Sequence, residues 1–298
     1  MIEVNNICMN IDNKEILRDI SFKCENGRIL GLIGPNGVGK TTLIKCLTGI
    51  YKPQSGSILY NNSQVFDNDK TKELIGYVQD ESTFFSNYKI NDIKKYYKLA
   101  YKNFDEIKFN KINNMFNIPL NKKMFQLSKG IKMLVNIIFA FSINAKYLIL
   151  DEPTSGLDVI FKKKFLKLLK EEVLKNNVTV VISSHHLNEL ENICDDILII
   201  NNGKVVFNDS INNLNNKVKK IQVAFDIPVY EEDFAEFNEI LALSKTGRVF
   251  TIITKNYNDE FLFKLNKLEP LFIEEISLTL EDMFIYHIEK GDINEKYN

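Results

Sequence analysis

The sequence predicts an α/β protein: a mixed-sheet core that carries an antiparallel β subdomain and a helical subdomain, followed by a small C-terminal α+β domain. Three observations predict it. Short apolar runs such as RILGLIG, YLILDEP and VTVVISS have the length and bounded ends of buried strands, with amphipathic runs between them. A glycine-rich stretch joins RILGLIG to TTLIKCLTGI, in the order strand, loop, helix. The β and α patterns then restart after about Val218, and the polar segment NNLNNKVKK reads as the linker between the two parts. The expected boundaries are 1–217 for the first domain, with the helical subdomain at about 82–142, and 218–298 for the second.

Each element has a local reason. MIEVNNICMNI and EILRDISFKC alternate apolar and polar residues, as strands of a small antiparallel sheet do, and Asn26-Gly27 marks a turn. TTLIKCLTGI reads as a helix with Gly49 near its C-terminal end, and SGSILYNN as another strand and turn. INDIKKYYKLAYKNF and KGIKMLVNIIFAFSI carry apolar residues at helical spacing. FKKKFLKLLKEEVLK is a lysine-rich amphipathic helix, and ILIINNGKVVFN a hairpin about Asn202-Gly203. In the second domain IQVAFDI, RVFTIITK and LFIEEIS read as strands. EEDFAEFNEI, NDEFLFKLNKL and LEDMFIYHIEK read as the helices that alternate with them.

Composition narrows the class. The chain has 298 residues, 45% hydrophobic and 26% charged, with a formal net charge of −1. Such a balance offers no basic field for nucleic acid or anionic lipid. Lys162, Lys163, Lys164 and Lys167 are clustered, which reads as the solvated face of a helix. Cys8, Cys24, Cys46 and Cys194 are scattered, with neither a C-x-x-C pair nor a histidine at metal-ligand spacing, so they read as reduced, mostly buried thiols. The N-terminus lacks the pattern of a secretory signal, and no run of about 18 apolar residues occurs that would span a membrane.

The chemistry concentrates in two places. GPNGVGKTT comprises Gly34, Pro35, Asn36, Gly37, Val38, Gly39, Lys40, Thr41 and Thr42, and fits G-x-x-x-x-G-K-[ST]. Glycines let successive backbone N–H groups converge on one anion, and the helix that follows adds the positive end of its dipole. Lys40 then supplies a full charge to the β- and γ-phosphates, and the Thr41 hydroxyl is placed to ligate Mg²⁺. YLILDEP puts Asp151 and Glu152 at the C-terminal end of a buried strand, the edge at which open α/β sheets bind ligands. Asp151 can hold the Mg²⁺ shell, and Glu152 can orient water against the γ-phosphate.

With these motifs in place, residues 1 to about 215 resemble a P-loop NTPase of the ABC transporter ATPase type. LSKGI, Leu127 to Ile131, stands where that family has its signature motif, ahead of the YLILDEP strand. The resemblance implies that Ser128 and Gly130 face the γ-phosphate of ATP held by a second subunit. Asp158 in SGLD matches the family's D-loop aspartate, and His185 in SSHH its switch histidine. His186 and His287 read as structural. SLTLEDMF, Ser277 to Phe284, is similar to a motif ending the accessory domain of many exporter ATPases. Overall the chain resembles the YtrB-like, bacitracin- and lantibiotic-exporter-type branch of Gram-positive bacteria.

Three positions depart from the family pattern. Ile11 takes the place of the aromatic residue that usually stacks on adenine, which implies weaker discrimination among nucleotides. In IGYVQDES the Q-loop glutamine position falls on Asp80, with Gln79 one residue early: either Asp80 is the sensor, or the loop shifts and Gln79 serves. LSKGI has Lys129 for a glycine and Ile131 for a glutamine, while Ser128 and Gly130 are kept.

The function the resemblance implies is ATP binding and hydrolysis, with ATP and Mg²⁺, powering a separate membrane permease. Two ATPase subunits, as a homodimer or a heterodimer, would close head to tail on ATP, peripheral to the cytoplasmic, inner face of the cell membrane. The branch implies export of a peptide, an antibiotic or a similar compound. Nucleic acid is not an expected partner. Two other functions compete: a soluble ABC ATPase acting on ribosomes or DNA, and a regulatory subunit that closes on ATP but hydrolyses it weakly. A single motif set and a near-neutral charge argue against the first, and intact Glu152 and His185 against the second.

Overall fold

Two sheets grip one helix, and that arrangement positions everything that follows. A computed structural model describes residues 1–80, 84–213 and 218–286. His287 lies outside the described residues. Contacts divide the chain into two compact units, Met1–Asn208 and Asp209–Asn298.

In the first unit β1 (Ile2–Ile11) and β2 (Lys14–Cys24) form an antiparallel pair, extended by β4 (Ser55–Tyr60) and β5 (Ser63–Gln64). Their alternation of apolar and polar residues becomes a buried face of Ile2, Val4, Leu17 and Phe22. A second, six-stranded sheet has the order β10-β9-β3-β8-β7-β6. Its strands are β3 (Ile29–Ile33), β6 (Ile75–Val78), β7 (Tyr147–Asp151), β8 (Thr179–Ser183), β9 (Asp196–Asn201) and β10 (Lys204–Ser210). Strands β3, β6, β7, β8 and β9 run parallel. β3, β7 and β8 are buried at every position, which is why they read as continuous apolar runs.

Helix α1 (Lys40–Leu47) belongs to the same apolar cluster as both sheets, through Leu43, Ile44 and Leu47. Tyr60 seals one end. Its hydroxyl donates to the Leu47 carbonyl at 2.8 Å, and its ring meets Tyr147 edge-on at 4.7 Å. Burying such a pair with its hydroxyl satisfied contributes about 1 kcal/mol beyond area alone. α2 (Asp69–Lys72) is a single turn capped by Asn68.

The helical part consists of α3 (Ile90–Ala100), α4 (Glu106–Phe116) and α5 (Lys129–Ser142). Phe139 of α5 anchors it, stacking on Tyr97 of α3 at 4.3 Å and lying 5.0 Å from Phe109 of α4. α6 (Val159–Asn176) follows the Asp151 strand, and α7 (Leu187–Ile193) leads into β9. On α6, Lys163, Lys164 and Lys167 are exposed, while Lys162 pairs with Glu189 at 2.6 Å.

The second unit is a four-stranded antiparallel sheet of order β12-β13-β11-β14. It comprises β11 (Val218–Phe225), β12 (Ile240–Thr246), β13 (Val249–Lys255) and β14 (Pro270–Ile276), with α8 (Asp259–Asn266) packed on it through Phe261 and Leu265. EEDFAEFNEI, expected as a helix, is instead one 3₁₀ turn, Glu231–Phe234, that leads into β12. Phe234 and Phe237 sit three apart as on a helix, but they fill the core beside Phe250 from an irregular segment. The missed signal is the turn at Gly247, whose φ of 64° closes the β12–β13 hairpin.

SLTLEDMF has a physical reading in this unit. The Thr279 hydroxyl donates to Asp282 at 2.7 Å, and the Thr279 N–H donates to the same carboxylate at 2.9 Å, as in a capping box. Lys220 on β11 reaches Asp282 at 2.8 Å. Burial alone would raise the Asp282 carboxyl, but the bonds from Lys220 and Thr279 hold it below its ordinary value.

Candidate nucleotide site

The glycine loop runs from the C-terminal end of β3 to the N-terminus of α1. Gly39 caps α1 with φ 112°, a conformation that residues with a side chain adopt only under strain. The loop therefore wraps back on Lys40, which is only 7% exposed although charged. Its ammonium donates to the carbonyls of Gly34 at 2.6 Å and Pro35 at 3.1 Å. Burial pulls the Lys40 ammonium below its ordinary value, while Glu152 and Asp151 pull it back up. A cation held by two neutral backbone carbonyls in a glycine loop is poised to exchange them for an anion.

β7 lies two strands from β3, with β8 between, and all three are parallel, so their C-terminal ends share one edge. Asp151 ends β7 there, fully buried. Ser183, ending β8 opposite it, donates its hydroxyl to Asp151 at 2.6 Å and accepts the Glu152 N–H at 3.0 Å. One side chain thus orients both acids. Glu152 has φ 49°, in the left-handed region. That turn brings its carboxylate to His185, whose Nδ1 lies 2.7 Å away and whose N–H donates at 3.3 Å.

Lys40, Asp151 and Glu152 line a cleft of about 510 Å³. Asn36, Gly37, Gly39, Lys40, Thr41 and Thr42 form one wall, and Asp80, Asp151 and Glu152 the other. Ile11, Asp12, Lys14 and Ile16 lie at the same cleft, from the β1–β2 hairpin. Ile11 is thus in place for an aliphatic contact to a base. Asp80 is among the lining residues and Gln79 is not. Gly34 and Pro35 serve through their carbonyls, and Val38 packs against the core.

Ser128, Gly130 and Asp158 stand apart from this cleft's lining. Ser128 caps α5, accepting the Ile131 N–H at 3.4 Å, and Asp158 caps α6, accepting the Phe161 N–H at 2.9 Å. Gly130 is required by sterics: a Cβ there would run into the Gly156 carbonyl oxygen. The His186 ring lies 4.0 Å from that of His185, tilted against it, and the His186 N–H donates to Ser184.

Sequence reasoning passed over two residues here. Ser183 could have been found, because it ends a buried strand next to the acid-bearing one. Lys129 was noted only as a departure; in the structure its ammonium lies 3.0 Å from the Asp80 carboxylate. The cysteines are all free thiols. Cys24 and Cys46 are buried and pushed up to about 12, which keeps them protonated and unreactive. Cys8 and Cys194 are half-buried.

The ABC transporter family model matches residues 17–155. The ABC transporter ATP-binding protein YtrB of Bacillus subtilis is 30% identical over 285 residues, spanning 96% of this chain and 97% of that protein. Among solved structures, an ATP-binding subunit of an ABC transporter superposes with a TM-score of 0.67 at 25% identity, over 72% of this chain and 92% of its own. A dimeric ATP-binding cassette in a post-hydrolysis state with ADP and Pi gives 0.64 at 21% identity, over 71% and 99%. No helix among the described residues is long and apolar enough to cross a membrane. A full-length relative at this identity, joined to a cleft with this lining, means that the chain belongs to the YtrB-like ATP-binding, ATP-hydrolysing subunits of ABC transporters.

Proposed function

We propose that this chain powers transport through a separate membrane permease, using ATP bound between two ATPase subunits closed head to tail. The observation that carries the reading is the convergence of Lys40, Thr41, Asp151, Glu152 and His185 on one edge of the parallel sheet. Loop N–H groups from Asn36 to Thr42 and the Lys40 ammonium would bind the phosphates, Lys40 leaving the Gly34 and Pro35 carbonyls to do so. Glu152 would orient and deprotonate the attacking water. His185, already hydrogen-bonded to Glu152, would hold that carboxylate and reach the γ-phosphate. Ser128, Gly130 and Asp158 would serve the second subunit's ATP.

The donor set suits Mg²⁺. Asp151 is buried and held by a neutral hydroxyl, and among the described residues no ion pair reaches it. With the Thr41 hydroxyl and Asp80 it offers hard oxygen ligands around one cleft. When bound, the ion supplies charge neutralisation at the β- and γ-oxygens.

The likeness to YtrB over nearly the whole chain supports a transport role on the inner face of the membrane. The C-terminal motif supports a substrate of the peptide or antibiotic kind, moved outward. A tagged Glu152→Gln chain, incubated with ATP in mild detergent, tests this. The variant should bind ATP, hold a closed dimer, lose about 10²-fold or more in turnover, and carry a polytopic membrane protein through purification. Recovery of ribosomes or DNA-bound proteins with no membrane protein would overturn the transport role. Near-normal turnover would remove Glu152 from the base role.

A further inference from the structure

Two departures from the family pattern meet in space. Asp80 stands where the family has a neutral Q-loop glutamine, and Lys129 where its signature motif has a glycine. They are far apart in sequence, yet the ammonium and the carboxylate lie 3.0 Å apart. The geometry that joins them is fixed from both sides. Asp80 follows β6 and lines the nucleotide cleft. Lys129 opens α5, and its side chain passes over Gly156, the residue against which Gly130 is seated.

Neither residue is well placed on its own. A lysine in the first turn of a helix opposes the helix dipole, and a carboxylate in a phosphate cleft repels the ligand. Together each removes the other's cost. Both side chains are nearly half exposed, at 47% and 41%, so the pair contributes little to holding the fold. Its effect falls instead on whatever charge enters the cleft.

We infer that Lys129 is the counter-charge that lets an acidic residue occupy the Q-loop position, so that Asp80 meets a triphosphate as half of a neutral pair. The inference rests on reading the cleft as the ATP site. It gives signs that a packing role would not. With Asp80 present, loss of Lys129 exposes a negative charge to the phosphates and weakens ATP binding. With Asp80 neutralised as well, the charge at the pair returns to zero and binding returns towards wild type. Neutralising Asp80 alone removes a repulsive charge from the cleft and strengthens binding.

The test is a double-mutant cycle on the full chain, read as Kd for a fluorescent ATP analogue in EDTA, without turnover. A unit charge a few Å from a phosphate changes affinity by about fivefold even at high dielectric. Lys129→Gln should therefore raise Kd about fivefold, and Lys129→Arg should keep it near wild type. Asp80→Asn should lower it, and the double variant should lie within about twofold of wild type. The spread should narrow as salt is raised through about 0.5 M. No weakening by Lys129→Gln, or a double variant that binds as weakly as Lys129→Gln alone, would overturn the pairing while leaving the ATP site intact. Failure of the wild-type chain to bind the analogue would instead overturn the ATP site itself.

Discussion

The two units each contain a hydroxyl bonded to a buried or half-buried aspartate, and they use it for opposite ends. In the second unit Thr279 holds Asp282 at 2.7 Å, and Lys220 completes the carboxylate's set of partners. Nothing is left over, and the motif closes a helix onto a sheet. In the first unit Ser183 holds Asp151 at 2.6 Å, but among the described residues no cation is paired with it. That carboxylate is oriented and only partly satisfied, at an edge where loops converge. The same chemistry serves shape when the charge is balanced and serves a ligand when it is not.

Asp151→Asn would break that contrast most severely. It keeps shape and the Ser183 contact but removes the uncompensated charge. ATP turnover should fall by about 10³-fold, by analogy with loss of a preorganised electrostatic group. ATP-analogue binding in EDTA should stay within a few-fold of wild type. Turnover that survives would show that the charge at Asp151 is dispensable. Ser183→Ala is milder. It leaves Asp151 unoriented and the Glu152 N–H unpartnered, so turnover should drop about tenfold and stability by about 1–3 kcal/mol. A stability loss without a kinetic one would confine Ser183 to structure.

Asp282→Asn sharpens the other side. The folded Asp282 carboxyl lies below its ordinary value, so its contribution is present above the unfolded carboxyl value, about 3.9, and is lost as pH falls through the folded one. Hydrogen exchange over 218–286 should speed up in wild type as pH drops below about 4, after correction for intrinsic rates. The variant should already exchange faster at pH 7 and respond less to acid, with ATP binding unchanged. An acid response that persists in the variant would assign it to another group.

How much was legible follows from what kind of constraint each residue obeys. The glycine loop, Asp151, Glu152 and His185 fall in motifs that admit few residue types at fixed spacing, so they stand out in one dimension, and the structure brings them to one edge of the sheet. The buried strands were legible for a related reason: continuous apolar runs have few other uses. β12 was not, because Phe234 and Phe237 imitate a helical period and only pairing with β13 settles Ile240–Thr246 as a strand. Ser183 and Lys129 act through partners distant in sequence, Asp151 and Asp80, and no local pattern announces a pairing made by topology.

The left-handed backbone at Glu152 carries a consequence for protein engineering. A non-glycine residue at φ 49° stores about 1 kcal/mol or more that a glycine would release. Selection for heat resistance alone should therefore favour Glu152→Gly, and the resulting clones should melt later while losing the carboxylate proposed to activate water. Heat screens on this scaffold need a catalytic gate, because one of the easiest stabilising substitutions coincides with the residue proposed as the catalytic base.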